Sequence, residues 1–240
     1  MSVGKNDTPG QETYHHAEMK AWEAPQGEAC TEQISAHIER HLGKVKSVFH
    51  EIMSDTVHID VHFVPPSEEF PYVRLVTSGM SDLPMAVPPE DENSPRHIEL
   101  IMTLPGDWKL DEESFQDDRW YWPVRLIKYL ARMPHKYDTW LGWGHSIPNG
   151  DPAQPLAPDT ALIGAVILPS VTVAKEFHTL KINDEKTIRF YAVVPLYPEE
   201  LDLKLRKGTA ELMRKFGRAN ITDIVEPGRT NVGKKFLGLF

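Results

Sequence analysis

The segment His58-Ile-Asp60-Val-His62 places three potential metal ligands at every second position. On a strand, alternate residues share a face but stand ~7 Å apart, so the two histidines are ~14 Å from each other. Zinc–nitrogen bonds are only ~2 Å long, so one ion cannot easily take both. Asp60 with either histidine could begin a hydrolytic metal centre if ligands arrived from elsewhere, with His50, His97 and His145 as the candidates. The plainer reading is a polar strand face on which Asp60 accepts hydrogen bonds beside the imidazoles. His37 and His41, one helical turn apart, read likewise as a solvated helix edge. No metal ligand and no cofactor is assigned.

Nucleophilic chemistry is no better supported. Cys30 stands at a helix start, where the dipole favours a thiolate, but no base accompanies it in sequence. Ser78-Gly79-Met80-Ser81 lacks the strand–turn–helix context of a nucleophile elbow. The acid pairs Glu112/Glu113 and Asp117/Asp118 suit capping and solvation. No glycine-rich phosphate loop is present. The expectation is a protein that is not an enzyme.

Aromatic residues make the stronger case, and it is a case for binding. Trp140-Leu-Gly-Trp143-Gly-His145 sets two large rings on a backbone of unusual freedom, and tryptophan concentrates at the energetic centres of protein interfaces. Trp108, which closes the run Leu104-Pro105-Gly106-Asp107-Trp108, Met80 and its neighbour Asp82 are added to this candidate partner-binding set. Methionine contributes soft, adaptable surface. The set works as one face only if the fold gathers it.

Composition narrows the partners. The net charge is −9, which opposes nucleic-acid binding and suits a soluble protein or one with a basic partner. With one cysteine, no internal disulfide can form, which fits a reducing compartment. The first thirty residues hold no long apolar run and no stretch reaches transmembrane length, so a cytoplasmic protein off the membrane is expected.

The elements that must position these residues are an α+β set. Residues 1–29 read as a flexible polar tail and 30–240 as a single domain. Thr31 caps a helix running to Leu42, with Ile34, Ile38 and Leu42 on one stripe and Gly43 at its end. Strands are expected over 44–53, 57–64, 72–77, 97–103, 161–168, 176–180 and 188–194. Short links make the early ones antiparallel. Met85–Pro95 is an exposed loop. A helix from Asp117 buries Trp120, Val124, Ile127 and Ala131 and stops at Pro134; another runs from Pro198 to Gly217, with Leu201, Leu205, Leu212 and Phe216 on one side. The architecture is a mixed, mainly antiparallel sheet with helices packed on it.

Taken in order, HIDVHFVPP, FPYVRLVTSGMSDLPM, HIELIMTLPGDW, WPVRLIKYLARMPHKYDTWLGWGHSIPN and ITDIVEPGR resemble the domain of the suppressor of fused family. The resemblance implies a protein-binding function. It spans about Cys30 to Arg229, so it covers the first domain of the two-domain animal members and leaves no residues for their second. Shorter bacterial relatives are associated with toxin systems, which implies an immunity or antitoxin protein occluding a cognate toxin, with a basic toxin as the candidate partner. A scaffold adding a partner strand to its sheet edge remains a further reading.

Overall fold

The computed structural model describes residues 29–49 and 57–234. Residues 1–28, and with them the expected tail, lie outside it, as do 50–56 and 235–240. Helix α1 (Thr31–Leu42) leads into β1 (Ser47–Phe49), β2 (Asp60–Val64), β3 (Tyr72–Ser78) and β4 (Ile98–Pro105). These pair with their sequence neighbours antiparallel, as their short connections require. Then come α2 (Asp118–Lys136), β5 (Ser146–Pro148), β6 (Gly164–Leu168), β7 (Thr179–Lys181), β8 (Thr187–Leu196), α3 (Pro198–Lys207) and α4 (Thr209–Arg218). The sheet order is β1-β2-β3-β4-β8-β6-β5, with β7 also on β8. Only β4 and β8 pair in parallel among the named strands. The fold is α+β, with a mixed, mainly antiparallel sheet.

Strand alternation divides the apolar residues between the two faces. Val61, Leu75, Leu100, Met102 and Ile167 pack beneath α2, which contributes Trp122, Ile127 and Leu130. Val64, Val76, Ile101, Phe190 and Val194 face α1, α3 and α4. His37 is a correction to the solvated-edge expectation. Its ring is buried between Phe177 and Phe190, and its Nε2–H donates to the Phe177 carbonyl at 2.9 Å. An excursion over residues 169–178 carries Phe177 onto this helix, which sequence periodicity could not foresee.

Other boundaries shift for local reasons. The expected strand 176–180 is a single 3-10 turn (Lys175–His178) followed by β7. The long last helix breaks in two at Gly208, whose φ is +82°, and Leu205 points to solvent. In α2, Trp122 rather than Trp120 is the fully buried indole, and the helix runs through Pro134 to Lys136. Met85 is buried in the segment expected to be an exposed loop.

Past Ile101, β8 turns from β4 to pair with β6. The crevice this opens is filled by residues 223–225. Ile224 bridges Thr103 in parallel, and Val225 N–H donates to the Thr103 carbonyl at 2.8 Å. Asp223 enters with this segment and accepts from Ser170 Oγ (2.7 Å), Val171 N (2.8 Å) and Thr172 Oγ1 (2.9 Å). Arg74, also buried, donates to Thr103 Oγ1 and Thr172 Oγ1, each at 3.2 Å, so two hydroxyls join the two charges. Farther on, Arg229 meets Glu200 through two bonds of 2.6 and 2.7 Å. Asp223→Ala leaves the buried Arg74 charge without its counter-charge. It is expected to cost about 3–5 kcal/mol in urea unfolding, more than truncating an exposed acid such as Asp202.

Candidate functional site

The loop 140–145 runs between α2 and β5 and is tied down by β6 and α4. Gly144 N–H donates to the Ile167 carbonyl at 2.7 Å, and Ile167 N–H to the His145 carbonyl at 2.9 Å. Thr209 Oγ1 donates to the Gly144 carbonyl at 3.2 Å. Gly144 has φ +79°, and a Cβ there would sit 2.9 Å from Thr209 Oγ1, so both conformation and space call for glycine. Leu141 is a fully buried anchor. With the backbone fixed in this way, Trp143 is held 53% exposed.

Trp140, Trp143 and His145 are brought together. With Tyr191 of β8 and the turn Asp91, Asn93, Ser94 and Pro95 they line an open groove of about 600 Å³. The His145 ring lies edge-on to Trp140, with centroids 4.1 Å apart. Burial lowers the His145 pKa, the nearby Lys204 charge adds to that, and Asp91 opposes it. The groove thus offers aromatic walls, a neutral imidazole and one acid. Asp91 and Tyr191 were missed from sequence because they lie on other elements, with no spacing that links them to the tryptophans.

The other candidates lie elsewhere. Met80 is a correction to the expected surface methionine: the turn at Gly79 drives it into the core, where it is 0% exposed. Trp108 lies past the carboxy end of β4, whereas the groove borders its amino end. There its Nε1–H donates to the Trp120 carbonyl at 3.0 Å and its ring packs edge-on to Trp120 and Trp122. Asp82 is half-buried at the start of α1, accepting from Cys30 N–H at 3.4 Å. Burial raises its pKa.

His58 Nε2 lies 3.1 Å from Asp60 Oδ1, and His62 Nε2 lies 2.9 Å from Ser78 Oγ. Among the described residues, no group of three or more His, Cys, Asp or Glu side chains is placed to hold a metal ion. Nor can His145 complete such a centre with Asp60. Five strand spacings separate β2 from β5, roughly 24 Å.

The suppressor of fused family model matches residues 55–230, most of the chain. The chain belongs to the suppressor of fused family. In structure it is similar to a suppressor of fused homologue from Neisseria gonorrhoeae, with a TM-score of 0.61 and 16% identity, covering 84% of this chain and 95% of that one. It is also similar to a chain of the Sufu–Fu complex, with a TM-score of 0.60 and 14% identity over 86% and 93% of the two chains. No curated protein matches it in sequence. No helix among the described residues is long and apolar enough to cross a membrane.

Within the family span Glu99 forms a further buried polar hub, apart from the Arg74–Asp223 network. Glu99 is fully buried and accepts from Ser81 N–H (2.9 Å), Ser81 Oγ (2.6 Å) and Thr77 Oγ1 (2.5 Å). The turn that carries Ser81 also offers carbonyls to two histidines. His97 Nδ1–H donates to Ser81 O at 2.8 Å and His135 Nε2–H to Met80 O at 2.7 Å. The Ser78-Gly79-Met80-Ser81 run is therefore a structural knot. Gly79 has φ +102°, and a Cβ there would strike the His58 carbonyl.

Gly79→Ala is expected to lower stability by about 3 kcal/mol or more in urea unfolding, since left-handed strain and a backbone clash combine. Burial pushes the Glu99 pKa up to about 7 against the pull of its three hydrogen bonds. Because this value lies above the ordinary 4.5, the benefit of protonated Glu99 is complete below pH 4.5 and is lost as pH rises through 7. Burial lowers the pKa of His97 and His135, which act in the opposite sense: their contribution is present above pH 6.5 and falls away in acid. Glu99→Gln removes only the first effect. The stability difference between Glu99→Gln and wild type should therefore move in the variant's favour between pH 4.5 and 7 by on the order of 3 kcal/mol, then stay level. Urea midpoints across that range give the measurement.

Proposed function

We propose that this chain is a non-enzymatic protein-binding domain acting as an immunity or antitoxin protein, which docks through the Trp140–Trp143–His145 groove and covers a cognate toxin. The observation that carries this reading is Trp143. A 53% exposed indole on a glycine-set loop clamped by β6 and α4 is a large apolar surface presented without loss of order. Such a residue gains much on burial and has little conformational freedom left to lose. Occlusion needs no chemistry from the domain. A net charge of −9 would speed its encounter with a basic partner. The fold is shared with a chain of the Sufu–Fu complex, a protein seen with a partner.

Strand addition is less well supported. Both outer strands of the described sheet, β1 and β5, are three residues long. β5 ends in Pro148, whose nitrogen has no hydrogen to donate, and short or proline-bearing edges resist pairing.

Retention of partners from its own cells on the tagged full chain, followed by mass spectrometry, tests the proposal. One stoichiometric partner is expected, whose activity falls as the chain is added to equivalence. Trp143→Ala, at an exposed position, should leave the fold intact and weaken that complex by about 30-fold or more. A partner whose activity the chain leaves untouched would remove the antitoxin role. Unchanged affinity in Trp143→Ala would remove the groove from the interface.

A further inference from the structure

The groove is walled by aromatic rings together with Asn93, Ser94 and Pro95, and its one acid has no hydrogen-bonded or ion-paired mate among the described residues. Asp91 lines it half-buried, yet among the described residues its carboxylate makes no hydrogen bond or ion pair; only its backbone is engaged, by Pro88 and Ser94. Exposed Glu90 and Glu92 flank it. Two groups could contribute opposing charge. They are His145, which burial and the neighbouring Lys204 keep towards the neutral form, and Lys204 itself, whose pKa burial also lowers. A site walled by two indoles, a phenol and an imidazole, with an unpaired carboxylate among them, complements a flat cation.

We propose that the groove receives an arginine side chain of the partner protein, its guanidinium stacked on the Trp143 indole and its N–H groups turned to the Asp91 carboxylate. Arginine suits the site better than lysine. Its planar, weakly hydrated head stacks on aromatic faces and forks onto a carboxylate, whereas an ammonium is a compact, strongly hydrated point charge. The inference rests on the groove being the docking face and adds the chemistry of what enters it. It also gives the acidic surface a local meaning, because Asp91 would be matched by a particular residue of a basic partner.

The experiment follows the indole N–H signals of the full-length chain by NMR as blocked pentapeptides Gly-Gly-X-Gly-Gly are added, with X arginine, citrulline, lysine, glutamate or proline. The arginine peptide should shift the Trp143 and Trp140 signals saturably, with a dissociation constant in the millimolar range. Citrulline, nearly isosteric but uncharged, should bind about tenfold more weakly or not at all. Asp91→Asn should weaken the arginine peptide by about five- to tenfold, and added salt should act in the same direction. Equal binding of citrulline, preference for the proline or glutamate peptide, or no saturable shift with arginine would overturn the proposal. The captured complex separates this inference from the broader reading. If Trp143→Ala breaks the complex while Asp91→Asn leaves its affinity unchanged, the groove remains the interface and the arginine is wrong.

Discussion

Arg74 and Asp223 are two charges that the fold has removed from water and joined through the hydroxyls of Thr103 and Thr172. Buried charge is tolerated only when its hydrogen-bonding capacity is met, so everything that supplies those bonds has to be in place together. Arg74 comes from β3, Thr103 from β4, Ser170 and Thr172 from the excursion between β6 and β7, and Asp223 from the chain beyond α4. Four separate stretches thus meet where the parallel pair β4–β8 opens. Without Asp223 and the segment behind it, the crevice would expose unpaired backbone of β4. Glu200 and Arg229 then hold the next stretch against α3, and Tyr197 Oη closes it by donating to the Pro227 carbonyl at 2.6 Å.

The groove depends on the same frame at one remove. Its loop hangs on Ile167 of β6, and one wall is Tyr191 of β8. Both strands are positioned by the pairings that border the crevice. Arg74, Asp223 and Glu99 are engaged with other described groups in holding the sheet, although Arg74 Nε makes no hydrogen bond. Asp91, outside those networks, is not so engaged, and that contrast separates a carboxylate used to build the domain from one available to a partner.

Much of the sheet was legible in the sequence, because period-two alternation in 57–64, 72–77 and 97–103 reports on strands, although the burial of their polar residues His62, Arg74 and Glu99 could not be read from it. The first helix was legible too, from its stripe and terminal glycine. The positive φ of Gly208 that splits the last helix was not, since the apolar spacing runs on across it. His37 and Met80 were misplaced for a common reason: each is buried by a distant segment or a local turn, and neither effect leaves a periodic trace. The tryptophans of the groove could be singled out by type and by their glycine neighbours. Asp91 and Tyr191 could not, because their nearness to Trp143 is a product of strand order, which one sequence does not display. The network partners of Arg74 were hidden for the same reason, although both ends fall within runs that resemble the family.

The late position of Asp223 also orders events during synthesis. Thr103 waits for an acceptor 120 residues farther along the chain, so the first four strands can pair on the ribosome while the Arg74 guanidinium still lacks its counter-charge. A nascent chain at that stage carries an open sheet border and an unneutralised cation near its centre, features that invite holding by a chaperone. Residues 223–225 follow all the described strands in sequence and are nevertheless required for a closed sheet, so their removal would act on the whole molecule.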